Sequence, residues 1–207
     1  MNKQFSYLAL GDSYTVGELV PLYESFPYQL VQMLRTSNVN FIAPEIIAQT
    51  GWTTDELLLY LSKTALLTQY DLVTLLIGVN NQYRGREPYL FKPDFELLIQ
   101  KAIKWANGSS KNVVVLSIPD WSVTPFAHEK NILEIASAID EYNKICRESS
   151  KAMGVHFIDI TTQQREFGHE KEFLAGDGLH PSGKEYKRWA NAIKRVVCNN
   201  MGLTATH

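Results

Sequence analysis

Residues 72–77 of the chain read Leu72-Val73-Thr74-Leu75-Leu76-Ile77, an almost unbroken apolar run. A second run of the same kind, Val113-Val114-Val115-Leu116, opens the strand predicted at residues 113–118. A strand that is apolar at nearly every position is buried on both faces, which is typical of the centre of a parallel sheet covered by helices on either side. The two runs therefore predict an α/β fold with these strands at its centre.

Three further strand-like runs occupy residues 7–10, 45–48 and 156–160. Between the strands, apolar residues recur every three or four positions, as on one face of a helix. Strands that alternate with helices predict a parallel sheet with helices on both faces, a three-layer α/β/α sandwich. We expect residues 1–207 to form a single domain, because no repeat or linker interrupts the pattern. The longest expected loops, after the third, fourth and fifth strands, are 84–93, 120–130 and 161–181.

The charge balance of the chain excludes several classes of partner. Its 207 residues carry 20 Lys and Arg against 22 Asp and Glu, which does not provide the positive field that nucleic acid or an anionic membrane surface requires. No apolar run is long enough to span a bilayer, and no long targeting segment precedes the first strand. We therefore expect a cytoplasmic protein with no nucleic-acid partner and no stable membrane insertion. A secreted parent whose leader has been removed is the alternative.

Polar residues follow the predicted strands at the edge where parallel sheets bind ligands. Ser13 comes directly after the first strand, and Asp177 and His180 lie in a turn after the fifth. A serine hydroxyl becomes a nucleophile only beside a base, and that base needs a partner that fixes its tautomer. Their spacing of three on a turn lets the Asp177 carboxylate reach Nδ1 of His180, which leaves Nε2 free to face Ser13.

Four blocks of the sequence resemble the SGNH hydrolases, also called GDSL-type lipases and esterases. In chain order they are Gly11-Asp12-Ser13, the glycine at Gly51, Gly78-Val79-Asn80-Asn81 and Asp177-Gly178-Leu179-His180-Pro181. A single block of this length is a weak signal because it is common by chance. Four blocks in the right order are a strong signal, and they span nearly the whole chain. The resemblance implies a flavodoxin-like fold, a doubly wound five-stranded parallel sheet with the strand order 2-1-3-4-5.

The same resemblance implies an activity and a role for each site residue. It implies a serine esterase that forms a covalent acyl-enzyme on Ser13, with His180 as the base and Asp177 as its orienting partner. The oxyanion hole would consist of the backbone N–H groups of Ser13 and Gly51 and the side-chain amide of Asn80. No cofactor and no metal is implied.

Two positions depart from the family's motifs. Tyr14 stands where the family's name places leucine, which bears on the wall of the substrate pocket. Asn81 replaces the usual aspartate of the third block, which bears on a hydrogen bond that supports its loop. Aromatic residues beside the site or on the same loops are expected to line a substrate pocket, and they are Tyr14, Trp52, Tyr83 and Trp121.

The predicted activity is hydrolysis of a small-molecule carboxylic ester. We expect small or short-acyl esters, because no long apolar surface segment favours a lipid. The alternatives in the same family are a carbohydrate O-acetyl esterase, which the aromatic residues would suit, and a lysophospholipase. From other classes we considered a catalytically silent binding module and a binder of phosphate or flavin. The intact Ser13, Asp177 and His180 argue against the first, and Asp12 and Glu18 would repel the phosphate of the second.

Overall fold

Within residues 3–201, which the computed structural model describes, five parallel strands form one sheet. They are β1 (Tyr7–Gly11), β2 (Glu45–Ala48), β3 (Leu72–Leu76), β4 (Val113–Leu116) and β5 (His156–Ile158). Their order across the sheet is β2-β1-β3-β4-β5, with β1 paired to both β2 and β3. This order confirms the predicted doubly wound parallel sheet.

The burial of the strands follows their position in the sheet. Every residue of β1, β3 and β4 is buried, whereas the two edge strands are mostly half-buried. The predicted ends of β3, β4 and β5 were one or two residues too far along the chain. The apolar pattern continues there because Ile77, Ile118 and Ile160 remain buried in the core after the strand ladder has ended.

Helices cover the sheet on both faces. The α-helices are α1 (Ser13–Val16), α2 (Phe26–Thr36), α3 (Thr54–Leu61), α4 (Val79–Tyr83), α5 (Pro88–Trp105), α6 (Ile132–Met153), α7 (Thr161–Phe167) and α8 (Gly183–Asn200). Short 3-10 turns lie at Leu22–Glu24, Ser110–Asn112, Trp121–Val123, Pro125–Ala127 and Lys171–Phe173. Helix α2 packs against α8, and α5 packs against α3 and α6. These two groups lie on opposite faces, as right-handed crossovers in this strand order require.

Two of the expected loops contain α-helix. The loop expected at 84–93 ends early, because α5 begins at Pro88 and includes Pro93. A proline is favourable in the first turn of a helix, where its missing N–H has no partner to lose, and the buried Phe91 and Phe95 pack this helix into the core. The loop expected at 161–181 likewise begins with α7. That helix has little apolar periodicity and is held by hydrogen bonds of Thr161 to Ser117 and Ile118.

Helix starts agree with the sequence patterns. Ser25 precedes α2, with Pro27 in its first turn. At the start of α3 the Glu56 carboxylate accepts the Thr53 N–H at 2.9 Å, and the sequence Thr53-Thr54-Asp55-Glu56 matches a capping box. Among the helices of residues 3–201, none combines the length and the apolar character needed to cross a membrane.

Candidate active site

The serine lies at the end of the interior strand β1, in a tightly packed turn. Ser13 is the first residue of α1 and is 5% exposed. Gly11 leaves no room for a side chain, because a Cβ there would lie 2.3 Å from the carbonyl oxygen of Leu76. Asp12 caps the helix by accepting the Tyr14 N–H at 3.1 Å. The close packing and the cap together fix Ser13 at the carboxyl end of the sheet.

The second part of the site is the turn that precedes α8. Oδ1 of Asp177 accepts the N–H groups of Leu179 and His180, both at 3.0 Å. Gly178 has a φ of +66°, in the left-handed region that glycine tolerates best. The Ala175 N–H donates to the carbonyl oxygen of His180 at 2.7 Å. The turn thus carries its own hydrogen bonds and presents its histidine in one orientation.

The structure brings together the three residues that the sequence paired. Nε2 of His180 lies 3.0 Å from Oγ of Ser13, and Nδ1 lies 2.6 Å from Oδ2 of Asp177. Partial burial raises the pKa of Asp177, but hydrogen bonds from the imidazole and from two backbone amides lower the pKa by more than burial raises it. The pKa of Asp177 therefore lies below its ordinary value. An ionised carboxylate favours the tautomer with the proton on Nδ1, which leaves the Nε2 lone pair facing the hydroxyl.

Gly51 and Asn80 border the same cavity as Ser13. Nδ2 of Asn80 donates to the Trp52 carbonyl at 3.0 Å, and since a side-chain amide has two N–H groups, the second is not used by that bond. Gly51 has a φ of +85°, and its carbonyl accepts Nη2 of Arg84 at 2.6 Å. The Ser13 N–H is in the first turn of a helix, where amides have no intrahelical acceptor. Three N–H donors therefore belong to residues around one opening.

Asn81 replaces the aspartate of the family motif, and its side chain still makes hydrogen bonds that support its loop. Its Oδ1 accepts the Thr54 N–H at 3.1 Å, and its Nδ2 donates to Thr54 Oγ1 at 2.9 Å. Thr54 Oγ1 also lies 3.4 Å from Oδ2 of Asp94, so its single hydrogen points to Asp94 while its lone pair faces the amide. An amide at position 81 therefore suits a threonine that already faces a carboxylate.

A mostly apolar cavity of about 200 Å³ opens beside Ser13. Three of the four predicted pocket aromatics line it, namely Tyr14, Tyr83 and Trp121. Trp52 is not among the residues that line it; its ring packs on Tyr60, with 4.9 Å between ring centroids. A Trp next to Gly51 in sequence turns toward α3 instead, because Thr53 and Thr54 immediately begin that helix.

Sequence reasoning missed several residues that line the cavity, among them two large apolar ones. Phe126 and Leu179 both line it. Phe126 packs edge-on to Trp121, with 6.0 Å between ring centroids, and near Tyr83 at 6.4 Å. The available signal was their placement, since Leu179 lies inside the fourth motif block and Phe126 lies in the loop after β4.

A larger open cleft of about 620 Å³ adjoins this cavity and shares Tyr83 and Trp121 with it. The Trp121 indole N–H donates to Oε1 of Gln82 at 2.8 Å, which fixes the shared wall. The cleft lies between the end of α4 and α6, and its charged lining residues are Arg86, Glu87, Lys130, Glu134 and Glu141. In residues 3–201, no group of three or more His, Cys, Asp or Glu side chains is placed to hold a metal ion.

Comparison with known proteins finds a matching family model, a similar curated protein and solved structures with the same fold. The model of the GDSL-like lipase/acylhydrolase family matches residues 9–188. The chain is 23% identical to the spore germination lipase LipC of Bacillus licheniformis, over 91% of this chain and 94% of that one. A lipase/acylhydrolase from Enterococcus faecalis superposes with a TM-score of 0.76 at 22% identity, covering 98% of this chain and 99% of that one. The acetylxylan esterase Axe2 from Geobacillus stearothermophilus superposes with a TM-score of 0.73 at 16% identity, covering 93% and 94%.

Proposed function

Because the chain belongs to the GDSL-like lipase/acylhydrolase family and so acts on ester bonds, we propose that it hydrolyses small, short-acyl carboxylic esters through an acyl-enzyme on Ser13. The observation that carries the proposal is the hydrogen-bonded line from Asp177 through His180 to Ser13. That line supplies a nucleophile, a base and the partner that orients the base.

In the proposed acylation step, Ser13 Oγ attacks the ester carbonyl carbon while Nε2 of His180 takes the hydroxyl proton. Asp177 stabilises the imidazolium that forms. When the tetrahedral intermediate collapses, the bond from carbon to the alcohol oxygen breaks, and His180 returns its proton to the departing alcohol. The products of this step are the free alcohol and an ester of Ser13.

The developing oxyanion is held by the N–H groups of Ser13 and Gly51 and by the amide of Asn80. The bond from Arg84 to the Gly51 carbonyl supports this role, because it fixes the loop that carries the second donor. Water then attacks the acyl-enzyme with His180 again as the base, and the carboxylic acid leaves. The scheme draws on side chains and backbone amides of the chain and uses no cofactor.

The size of the Ser13 cavity supports a short acyl group. Its volume of about 200 Å³ compares with roughly 150 Å³ for an engineered apolar cavity that holds benzene. Phe126, Leu179 and Trp121 give it an apolar wall. An acyl group of a few carbons therefore fills the cavity, whereas a fatty acyl chain would extend beyond it. This argues against the lysophospholipase alternative.

A carbohydrate O-acetyl esterase is the second candidate, and the neighbouring cleft favours it. The sugar part of such a substrate needs a polar site with hydrogen-bond acceptors and an aromatic face. The cleft offers the carboxylates of Glu87, Glu134 and Glu141 beside Tyr83, which is 54% exposed. One of the fold relatives is named an acetylxylan esterase, an enzyme of that kind.

A labelling and turnover experiment tests the proposal. The protein is treated with an alkyl fluorophosphonate, and kcat/KM is measured for aryl esters from acetate to octanoate. We expect one adduct, on Ser13, and the highest kcat/KM for acetate to butyrate. Ser13→Ala abolishes labelling and turnover. Ser62→Ala, which removes an exposed hydroxyl bonded to the Leu59 carbonyl, changes neither.

Two results would change the conclusion. No adduct on Ser13 and no turnover of any ester would contradict the esterase and favour a silent binding module. A much higher kcat/KM for release of acetate from an O-acetylated oligosaccharide than from aryl acetate would favour the second candidate.

A further inference from the structure

A buried carboxylate lies directly after β4, outside the hydrogen-bonded line of the active site. Asp120 is 0% exposed, and a charge in such a place needs partners for both of its oxygens. Oδ2 lies 2.8 Å from Nε of Arg165, and Oδ1 accepts the Ser122 N–H at 2.9 Å. The proposed ester chemistry does not use this ion pair.

Helix α7 holds this carboxylate through two adjacent residues. Arg165 also contacts α6, with Nη2 2.9 Å from Oδ1 of Asp140 and 3.4 Å from the Ala136 carbonyl. Its neighbour Gln164 accepts the backbone N–H of Asp120 at 2.6 Å. Both the backbone and the side chain of Asp120 are thus fixed by α7, which is itself fixed to α6 through Arg165.

Residues 120–127, which we call the 120–127 segment, contact the active site in two places. Trp121 and Phe126 form part of the cavity wall beside Ser13. The Phe126 N–H donates to the carbonyl oxygen of Gly178 at 3.2 Å, and a Cβ on Gly178 would meet Pro125 at 3.4 Å. Gly178 lies between Asp177 and His180, so the segment also supports the turn that carries the proposed base.

We propose that Arg165 is a positioning residue of the active site. Through Asp120 it holds the 120–127 segment, which forms part of the wall of the Ser13 cavity and supports the turn that carries His180. The proposal rests on the function proposed above. Arginine suits the task because its planar guanidinium can bond two carboxylates at once, here Asp120 and Asp140, which a lysine ammonium does less well.

The test compares Arg165→Met and Arg165→Lys with the control Arg147→Met. Arg147 makes an ion pair of similar length but greater exposure, 3.0 Å to Asp159, between α6 and the chain just before α7. We expect Arg165→Met to lower kcat/KM for aryl acetate by about 10- to 100-fold, since displacements of about 1 Å in a site cost on the order of 10² in rate. The preference for acetate over hexanoate should shrink as well.

Two further results separate positioning from simple loss of stability. Arg165→Lys keeps a positive charge beside Asp120 and should recover part of both the rate and the acyl preference, while Arg147→Met stays within about twofold of wild type. Amide hydrogen exchange should accelerate in peptides covering 120–127 and 177–180 in Arg165→Met, and not in the control.

The inference is overturned if Arg165→Met lowers only thermal stability and leaves acyl preference and the exchange of both peptides as in Arg147→Met. The exchange measurement does not depend on ester cleavage. A wild-type protein that turns over no ester would therefore refute the proposed function, while the exchange data still decide whether Arg165 holds the two segments.

Discussion

Replacing Asp12 with asparagine is predicted to stabilise the protein, and to do so more at alkaline pH. The Asp12 carboxyl is 1% exposed, and its Oδ2 has no hydrogen-bond partner among the described residues. Burial raises the pKa of Asp12 to about 7, although backbone hydrogen bonds from Tyr14 and from its own N–H oppose the shift. Asparagine caps helices as well as aspartate does and can accept the same bond from Tyr14.

The magnitude follows from the proton that the folded state retains. Between about pH 4 and pH 7 the unfolded chain has lost this proton while the folded chain keeps it, so the wild-type free energy of unfolding falls as pH rises. At about 1.4 kcal/mol per pH unit, the loss is roughly 1 to 2 kcal/mol at pH 5 and about 4 kcal/mol at pH 8. Asp12→Asn lacks this ionisation and avoids the loss.

The assay is urea unfolding of wild type and Asp12→Asn at pH 5 and at pH 8, with the difference in unfolding free energy compared between the two pH values. Asp159→Asn is the control. Partial burial raises the pKa of Asp159, but bonds from Thr162 and Arg147 lower it below its ordinary value, so the effect of its replacement should be the same at both pH values. An equal benefit of Asp12→Asn at pH 5 and pH 8 would refute the reasoning.

Three further predictions concern activity. Asp177→Asn should lower kcat by about 10³- to 10⁴-fold, because an amide facing Nδ1 of His180 favours the wrong tautomer; Asp159→Asn should leave kcat unchanged in the same ester assay. Asn80→Ala should lower kcat by roughly 10²- to 10³-fold through the loss of one oxyanion donor, and a change in KM alone would contradict that role. Tyr83→Ala should join the two cavities and raise the relative kcat/KM for hexanoate and octanoate, whereas Tyr89→Ala, which alters neither cavity, should leave the acyl-length profile as it was.

The fold was predictable wherever a strand is buried on both faces. The residues of β3 and β4 are apolar at nearly every position because their environment is uniform, and this uniformity can be read from sequence. Helix α7 was missed because its sequence, Thr-Thr-Gln-Gln-Arg-Glu-Phe, has almost no apolar periodicity. Its stability comes from contacts with distant residues, such as the bond from Thr161 to Ser117, and such contacts leave no local pattern.

The proximity of Ser13, Asp177 and His180 was predictable because short motifs place each of them directly after a strand or before a helix. Phe126 and Arg165 were not predictable in the same way. Each makes a contact with a loop far away in sequence, Phe126 with Gly178 and Arg165 with Asp120. Where such loops meet depends on how whole helices pack, which the residue pattern of one loop does not encode.

The long separation in sequence between Ser13 and His180 has a consequence for biosynthesis. Ser13 and His180 are 167 positions apart, and His180 immediately precedes α8, which packs on α2. A chain that emerges from its amino end therefore exposes the serine long before the histidine exists. Until α8 packs on α2, the Ser13 hydroxyl lacks the base proposed for it, so the proposed esterase activity would begin only when α8 docks.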